Sequence, residues 1–296
     1  MQSMRNCVFL TMDSLEGFVS DDALTYEPLA KLGWQVHPIS WRSTDTDWSA
    51  RAANRYDAVI IRTPWDYQQA PQAFLEALGR IEASGVPMEN SLDLVRWNID
   101  KTYLRDLEIQ GIRVVPTQWA NTFQREVIDN WWQNWDTLEL IIKPTVSANA
   151  DDTFWLTRQT TEEVWETIAQ TFRQRPFMVQ PFIPAILEEG EYSLFFFGGS
   201  YSHTIVKIPK PNDFRVQEEH GGLIQPAQPT PELRQTAQQI YEAIPYNPLY
   251  ARIDLVRLPA GEFALMEVEL IEPSLYFRTD AESPHRFARA IDARFC

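Results

Sequence analysis

The sequence lacks several motifs that mark common enzyme classes. Glycine is scarce, with 11 residues in 296, about half its usual share. Neither the P-loop pattern that cradles phosphates nor the G-x-G-x-x-G dinucleotide turn occurs. The H-E-x-x-H zinc motif and the G-x-S-x-G nucleophile elbow are also missing. Any phosphate chemistry must therefore use another scaffold, and nothing indicates a serine or zinc hydrolase.

Cysteines and long apolar runs are few. Cys7 lies in a short apolar segment and Cys296 is the last residue, a spacing that suggests neither a disulfide framework nor a metal cluster. A reducing, cytoplasmic environment is the expectation. No apolar run approaches the roughly 18 residues of a membrane span. Residues 7–12 are too few for a signal-peptide core and predict a strand instead.

Basic residues are outnumbered, with 26 Lys and Arg against 41 Asp and Glu, for a net charge of −15. An acidic surface repels nucleic acid and anionic membranes, so neither is expected as a partner. Self-association as a homodimer stays open. An anionic ligand would need local cations, which makes each lysine a candidate: Lys31, Lys101, Lys143, Lys207 and Lys210.

The first third of the chain alternates short strands and helices. Strands are predicted at residues 8–12, 34–39 and 58–61, and helices at 21–32 and 71–84. This alternation with short connections predicts a parallel α/β sheet. At 296 residues the chain is long enough for two or three subdomains. We expect an N-terminal domain at residues 1–97, followed by subdomains at 98–184 and 185–296.

The central segment carries two lysines in informative places. Residues 98–111 predict one helix with Asn98 as its N-cap and Lys101 in its first turn. A cation there opposes the helix dipole, unless an anion also binds at this end. Lys143 closes a short apolar strand at residues 139–143. Either lysine is alternatively an ordinary solvated charge. Further strands are predicted at 176–183, 191–197 and 201–208, and the spacing of Trp131, Trp132 and Trp135 predicts one packed helix face.

A predicted hairpin near the C-terminus collects acids on one face. Residues 250–258 and 263–271 read as strands joined by a four-residue loop. If Leu258 pairs with Phe263, Asp254 faces Glu267 and Arg252 faces Glu269. The opposite, apolar face would then hold Ile253, Leu255, Met266 and Val268.

Like charges directly opposed on neighbouring strands destabilise the pair, and a divalent cation between them reverses that cost. Oxygen ligands from Asp254, Glu267 and Glu269 favour Mg²⁺ or Mn²⁺ over zinc. The alternative is an exposed acidic face on an acidic protein. Arg252, opposite Glu269 in this pairing, could neutralise it, which makes Glu269 the weaker candidate ligand for the metal ion.

The carboxylate hairpin, the two separated lysines and the strand between them resemble the ATP-grasp superfamily, over nearly the whole chain. The resemblance implies ATP bound between two α+β subdomains, after an N-terminal parallel-sheet domain. It implies that Asp254, Glu267 and Glu269 hold magnesium, although the last position is often Asn in the family. It assigns ATP contacts to Lys101, Lys143, Ser147, Gln180, Pro181, Phe182, Ile183 and either Glu188 or Glu191.

Residues 213–222, D-F-R-V-Q-E-E-H-G-G, are similar to a stretch in ligases that modify ribosomal protein S6. This likeness implies that Arg215 contacts the γ-phosphate, with Lys207 as a second cation. One departure concerns residues 145–153, where the family usually has a glycine-rich loop and this chain has no glycine.

A narrower resemblance rests on R-T-P-W-D-Y (62–67), R-W-N (96–98), K-P-T-V-S (143–147) and E-L-I-E-P-S (269–274). These stretches look like the D-cycloserine-forming branch of the superfamily, which implies a small amino-acid-like substrate. Loops after parallel strands collect ligands, so Arg62 is expected to bind a substrate carboxylate and Asp66 an amine. Arg252 and Ser274 are further candidates. The alternative for 62–67 is a turn anchored by Trp65.

The resulting hypothesis is a carboxylate–amine ligase. A substrate carboxylate attacks the γ-phosphate of ATP, and an amine then displaces phosphate from the acyl phosphate. Such chemistry needs positioning and charge neutralisation rather than a covalent nucleophile. The alternatives are a cyclising ligase or phosphotransferase on the same fold, or a nucleotide-binding regulatory module without turnover.

Overall fold

The computed structural model describes residues 4–48, 56–135, 137–211 and 213–295. Within them the strands form three sheets, one parallel and two antiparallel. Cys296 lies outside the described residues, and Cys7 is buried as a free thiol. None of the described helices is both long and apolar enough to span a membrane.

The N-terminal sheet is parallel, with strand order β2-β1-β3-β4, as the alternating pattern predicts. Its strands are β1 Arg5–Thr11, β2 Trp34–Ser40, β3 Ala58–Thr63 and β4 Met88–Glu89. Its helices are α1 Tyr26–Lys31, α2 Pro71–Ala83 and α3 Leu92–Asn98. Every residue of β3 is buried, which is typical of a strand covered on both faces. A 3-10 turn, Asp22–Thr25, replaces the start of the longer first helix that we expected.

The predicted helix at 98–111 is wrong in its first turn. Asn98 ends α3, whose N-cap is Ser91, and a separate helix, α4 Tyr103–Ile109, follows. The Asn98 amide instead donates to the carbonyl of Val268 at 2.9 Å and accepts from the N–H of Leu270 at 3.0 Å. These two hydrogen bonds, to residues at the end of the distant C-terminal hairpin, override the local capping preference of Asn98. Lys101 therefore lies in the connection before α4.

The middle sheet is antiparallel, with order β5-β8-β6-β7. Its strands are β5 Gln118–Ala120, β6 Glu139–Pro144, β7 Phe154–Thr157 and β8 Phe177–Pro181. The neighbouring helices are α5 Arg125–Asn134, α6 Glu162–Thr171 and α7 Ala185–Glu188. Trp132 of α5 is buried in this core and Trp131 and Trp135 pack against it, so the packed helix face is confirmed.

The third sheet is antiparallel, with order β11-β10-β9-β12-β13. Its strands are β9 Glu191–Phe197, β10 Ser200–Ile208, β11 Leu223–Pro226, β12 Tyr250–Arg257 and β13 Phe263–Glu269. Two helices flank it, α8 Pro231–Ala243 and α9 Ser283–Arg294. The division at residues 97/98 stays a prediction and falls in the last turn of α3.

The β12–β13 hairpin keeps the predicted pairing only at its acidic end. Asp254 lies opposite Glu267, and Arg252 lies opposite Glu269, as expected. A bulge next to Asp254 then shifts the register, so Phe263 pairs with Arg257 and the predicted pairing with Leu258 is wrong. Bulges insert an unpaired residue and redirect side chains locally.

The inserted residue is Met266. Its side chain lines a cavity beside Lys143 instead of joining the apolar face, which corrects the prediction. Leu265 is the residue buried in the core with Ile253 and Leu255.

Candidate active site

A cavity of about 510 Å³ is lined by residues that flank all three sheets. Asp66 follows the N-terminal sheet, Lys143 and Gln180 come from the middle sheet, and Glu191 and Glu267 come from the third. Charged side chains that are far apart in sequence converge there, in a space large enough for a ligand.

Three neighbouring strands place a buried cation between two acids. Lys207 of β10 has its Nζ 2.5 Å from Glu191 of β9 and 2.9 Å from Asp254 of β12. Burial opposes the charge on Lys207, but Asp254 and Glu191 outweigh it and raise the pKa of the lysine. The hydroxyl of Ser193 donates to Asp254 at 2.6 Å. The predicted cation on β10 therefore lies in the cavity and neutralises two carboxylates.

Arg252 forms the second cationic contact of Asp254, at 2.9 Å, and also pairs with Glu269. The two-residue strand period puts Arg252 and Asp254 on one face of β12. Although burial favours the neutral acid, Arg252 and Lys207 hold the pKa of Asp254 well below its usual range. Asp254 is thus ionised and surrounded by cations.

Both lysines that resemble phosphate-binding residues line the cavity. Lys101 Nζ lies 3.2 Å from Glu267 and donates to the carbonyl of Ser147 at 2.7 Å. Lys143 Nζ lies 3.9 Å from the sulfur of Met266. Burial and the neighbouring Lys101 lower the pKa of Lys143, against the pull of Glu267. Two buried cations side by side leave positive potential available to an anion.

The remaining acids of the cavity, Glu269 and Glu272, lie close enough to other carboxylates that their ionisation is opposed. Burial and the nearby Glu267 raise the pKa of Glu269 to about 7 despite Arg252. Burial and Glu269 raise the pKa of Glu272 to about 8. Among the described residues, no group of three His, Cys, Asp or Glu side chains is arranged to hold a metal ion. The acidic side chains of the hairpin offer only oxygens, which fits Mg²⁺, but they point to Arg252, Lys207 and Lys101.

The strand predicted to read adenine borders the cavity, which Gln180, Pro181, Phe182 and Ile183 all line. The side chain of Gln180 donates to the hydroxyl of Thr117 at 3.0 Å, and the N–H of Phe182 donates to the carbonyl of Glu139 at 3.0 Å. These bonds fix the strand against its neighbours.

The structure separates the two glutamates that the sequence left open for ribose. Glu188 is exposed at the end of α7 and does not line the cavity, so this candidate is wrong as a cavity residue. Glu191 is buried in the cavity wall. The difference arises because β9 carries Glu191 inward, whereas α7 turns Glu188 to the surface.

Two loops border the cavity, one after β6 and one between β10 and β11 of the third sheet. Residues 145–153 contain no glycine, yet Asn149, Ala150 and Asp152 have φ values of 53°, 56° and 51°. They adopt the left-handed conformation that glycine adopts most easily. His220 in the second loop donates from Nε2 to the carbonyl of Asn149 at 3.0 Å, which joins the two loops.

Arg215 also lines the cavity, but Asp213 holds its guanidinium with bonds of 3.0 and 2.8 Å. Hydrogen bonds from Arg215 to Asp213 raise the pKa of the arginine and lower that of the acid. Contact with a phosphate would require Arg215 to exchange this partner.

The structure places Arg62, the expected ligand of a substrate carboxylate, away from the main cavity. It is 1% exposed, lies outside the lining of the main cavity, and pairs with Asp22 at 3.0 Å. Asp66 does line the cavity, but Trp41 donates to one of its oxygens at 2.6 Å and Arg42 to the other at 2.8 Å. Ser274 lines the cavity as well.

Glu272 and Tyr67 line the cavity and were not among the predicted site residues. Both are buried, and the phenol of Tyr67 hydrogen-bonds to the Glu272 carboxyl. Both belong to the stretches 62–67 and 269–274 that carried the narrower resemblance. Their position in these two stretches is the sequence feature that could have identified them as site residues. The contact between Tyr67 and Glu272 depends on the fold.

Comparison with known proteins follows this geometry. A model of the prokaryotic glutathione synthetase ATP-grasp domain matches residues 109–274, more than half of the chain. The chain belongs to the ATP-grasp family. A second model, the N-terminal domain of D-cycloserine synthetase DcsG, matches residues 7–90 of this ATP-grasp protein. The protein is an ATP-dependent ligase.

Relatives of this ATP-grasp ligase match it over most of their length. The cycloserine biosynthesis protein DcsG of Streptomyces lavendulae is 28% identical over 282 residues, 90% of this chain and 91% of the relative. A crystal structure of D-cycloserine synthetase DcsG has a TM-score of 0.85 at 26% identity, covering 98% of this chain and all of that one. The ATP-grasp ligase PsnB, solved with Mg and ADP, shares the fold with a TM-score of 0.69 at 14% identity, covering both chains fully.

Proposed function

We propose that the enzyme joins a carboxylate to an amine on a small amino-acid-like substrate, through an acyl phosphate formed with ATP. One observation carries this proposal. The same cavity is lined by residues 180–183, by the acids of the β12–β13 hairpin and by five cations, Lys101, Lys143, Lys207, Arg215 and Arg252. Acids in the same lining pair with most of these cations, so a polyanionic nucleotide would bind here together with a metal cation, with the five side chains neutralising its phosphates and the acyl phosphate.

Each group of cavity residues would contact a different part of ATP or of the substrate. Residues 180–183 would hold adenine and Glu191 the ribose, because all of them line the cavity and come from the middle and third sheets and the segment between them. Lys101 and Lys143 would neutralise the phosphates, and Arg215 would leave Asp213 to reach the γ-phosphate. Arg252 would orient the carboxylate that attacks. Such preorganised charge stabilises the transition state of phosphoryl transfer.

We assign Mg²⁺ to Asp254, Glu267 and Glu269, whose oxygen donors suit it, and PsnB was solved with Mg and ADP. When bound, the ion would neutralise charge on the transferred phosphoryl group. Within the chain, the same acids hold Lys101, Lys207 and Arg252 in place, so they keep those cations oriented toward the cavity.

A cyclising version of this chemistry has its own support. Two relatives that match nearly the full length are D-cycloserine synthetase and the cycloserine biosynthesis protein DcsG, and the first name denotes formation of a ring. If the amine and the carboxylate belong to one molecule, the same cavity would close a ring without a separate acceptor.

The test is ADP and phosphate release with ATP, Mg²⁺ and a panel of D- and L-amino acids and O-substituted serines. Mass spectrometry of each product distinguishes three outcomes. The product is a new amide between two molecules, a ring whose mass is lower than that of its precursor by one water, or a phosphorylated substrate. Hydroxylamine trapping of an acyl hydroxamate would support the acyl phosphate. Nucleotide binding without any release from the panel would sink the ligase proposal.

A further inference from the structure

The segment 271–274 is held by an unusual series of contacts. The carbonyl oxygens of Glu272, Pro273 and Ser274 each accept a hydrogen bond from a different side chain. The donors are Trp65, Arg62 and Arg252, at 2.8, 3.2 and 3.5 Å respectively. The carbonyl of Ile271 lies 2.8 Å from the Tyr250 hydroxyl, whose single proton it shares with the carbonyl of Ile61. Arg62, expected to bind substrate, therefore contacts the backbone of this segment. Backbone held by several side chains gives the side chains of the segment a defined direction.

Glu272 projects from this fixed segment into the cavity wall and is 8% exposed. Every other buried or half-buried carboxylate lining the cavity, within the described ranges, has a Lys or Arg within 4.0 Å. These pairs are Asp66–Arg42, Glu191–Lys207, Asp254–Lys207, Glu267–Lys101 and Glu269–Arg252. Glu272 forms no such ion pair in that part of the chain, and its carboxyl has the Tyr67 phenol as a partner. A buried acid without a cation is costly to ionise, which raises the pKa of Glu272, and a cationic ligand group beside it would favour its charged form.

The surroundings of Glu272 suit a positively charged group. Of the cavity-lining residues from the N-terminal sheet and its loops, within the described ranges, none is Lys or Arg. They are Met12, Asp13, Ser14, Phe18, Trp65, Asp66, Tyr67, Gln68 and Gln69. Trp65 packs against Phe18 with ring centroids 5.5 Å apart, and its indole N–H holds the Glu272 carbonyl. Acids and aromatic faces attract cations.

We propose that Glu272, oriented by Tyr67 and by the fixed segment 271–274, binds the ammonium group of the substrate, so that the substrate class is a primary amine. This inference rests on the proposed ligase function and deepens it. The cavity would then offer cations to the nucleotide and the carboxylate, and the acid Glu272 to the amine. Asp66, the amine ligand suggested by sequence, has both oxygens occupied by Trp41 and Arg42.

The test compares binding of primary amines with binding of their N-acetyl counterparts. Alanine, serine and cycloserine in both enantiomers are titrated calorimetrically into the full-length protein with Mg²⁺ and a non-hydrolysable ATP analogue. The proteins are the wild type, Glu272→Gln, Glu272→Asp and the control Glu89→Gln. Glutamine keeps the shape and can still accept from Tyr67. Glu89 is a partly buried acid outside the cavity, paired with Arg294.

We expect the wild type and Glu89→Gln to bind at least one amine about tenfold or more tightly than its N-acetyl form. Glu272→Gln should lose that preference while binding the ATP analogue normally, and Glu272→Asp should keep part of it. A preference that persists in Glu272→Gln would reject the inference, as would a wild type that prefers no amine. Selective amine binding without ADP formation would instead count against the ligase function alone.

Discussion

The ammonium group of Lys207 lies 2.9 Å from the carboxylate of Asp254, and both side chains are almost completely buried. The contact joins β10 to β12, which are not neighbours in the sheet, because β9 runs between them. Lys207 reaches Glu191 on that middle strand as well. Lys207 thus connects Glu191, which we propose to bind ribose, with Asp254, which we propose to bind magnesium.

Lys207→Met should destabilise the protein by about 3 kcal/mol or more, because it leaves Glu191 without a cation in a buried site. Urea unfolding followed by circular dichroism measures this change. The control is Lys31→Met, which removes an exposed lysine paired with Glu27 on α1 and should change stability by less than about 0.5 kcal/mol. Equal effects of the two variants would show that the buried pair contributes nothing specific.

Glu267→Gln and Lys143→Ala should each lower kcat by about 100-fold or more, since each removes charge that the proposed mechanism needs at the phosphates. ADP release measures activity, and circular dichroism should show an intact fold. Glu232→Gln, on the exposed first turn of α8, is the matched control and should remain active. Wild-type rates in either site variant would remove that residue from the active site.

Gly222→Ala should distort the loop that carries Arg215. A Cβ at Gly222 would collide with the carbonyl oxygen of Val216 and come within 2.9 Å of that of Gln217, and backbone cannot move aside cheaply. We expect kcat/KM for ATP to fall by about tenfold or more, since small misplacements of charged groups are costly. Gly79→Ala in α2, whose nearest neighbour would be 4.0 Å away, should instead stabilise the protein by about 0.5–1 kcal/mol. Unchanged ATP kinetics in Gly222→Ala would contradict a role for this loop.

His203 should make stability depend on pH. Burial lowers the pKa of His203 from 6.5 to about 4, although the carbonyl of Leu275 acts in the opposite direction. The unfolded chain therefore binds a proton more readily, so its contribution is complete above pH 6.5 and falls as the pH drops to 4. The loss should reach about 3 kcal/mol.

Urea unfolding of the wild type and His203→Asn at pH 7, 5.5 and 4.5 isolates this histidine from the titrating carboxylates. The difference in unfolding free energy between the two proteins should shrink as the pH falls. A constant difference would show that His203 does not titrate between folded and unfolded states.

The sequence by itself determined the local elements and the chemistry of the hairpin. Alternating apolar residues fixed the strands, and Thr161 and Thr230 cap helices as local preference predicts. The two-residue strand period puts Arg252 and Asp254 on one face of β12, whereas the opposition of Asp254 to Glu267 also needs the bulge next to Asp254. Family-like motifs at Lys101 and Lys143 led to the same cavity, because both residues are fixed by short local segments.

The tertiary structure alone decided which groups meet. Asn98 ends a helix instead of starting one, because β13 supplies partners that no local pattern shows. The bulge that turns Met266 into the cavity, the burial of Arg62 against Asp22, and the choice of Glu191 over Glu188 also depend on packing between distant segments. The lack of a Lys or Arg beside Glu272 also depends on the fold, because charges pair according to their distance in the folded chain. Its neighbour Tyr67 lies about 200 residues away in the sequence.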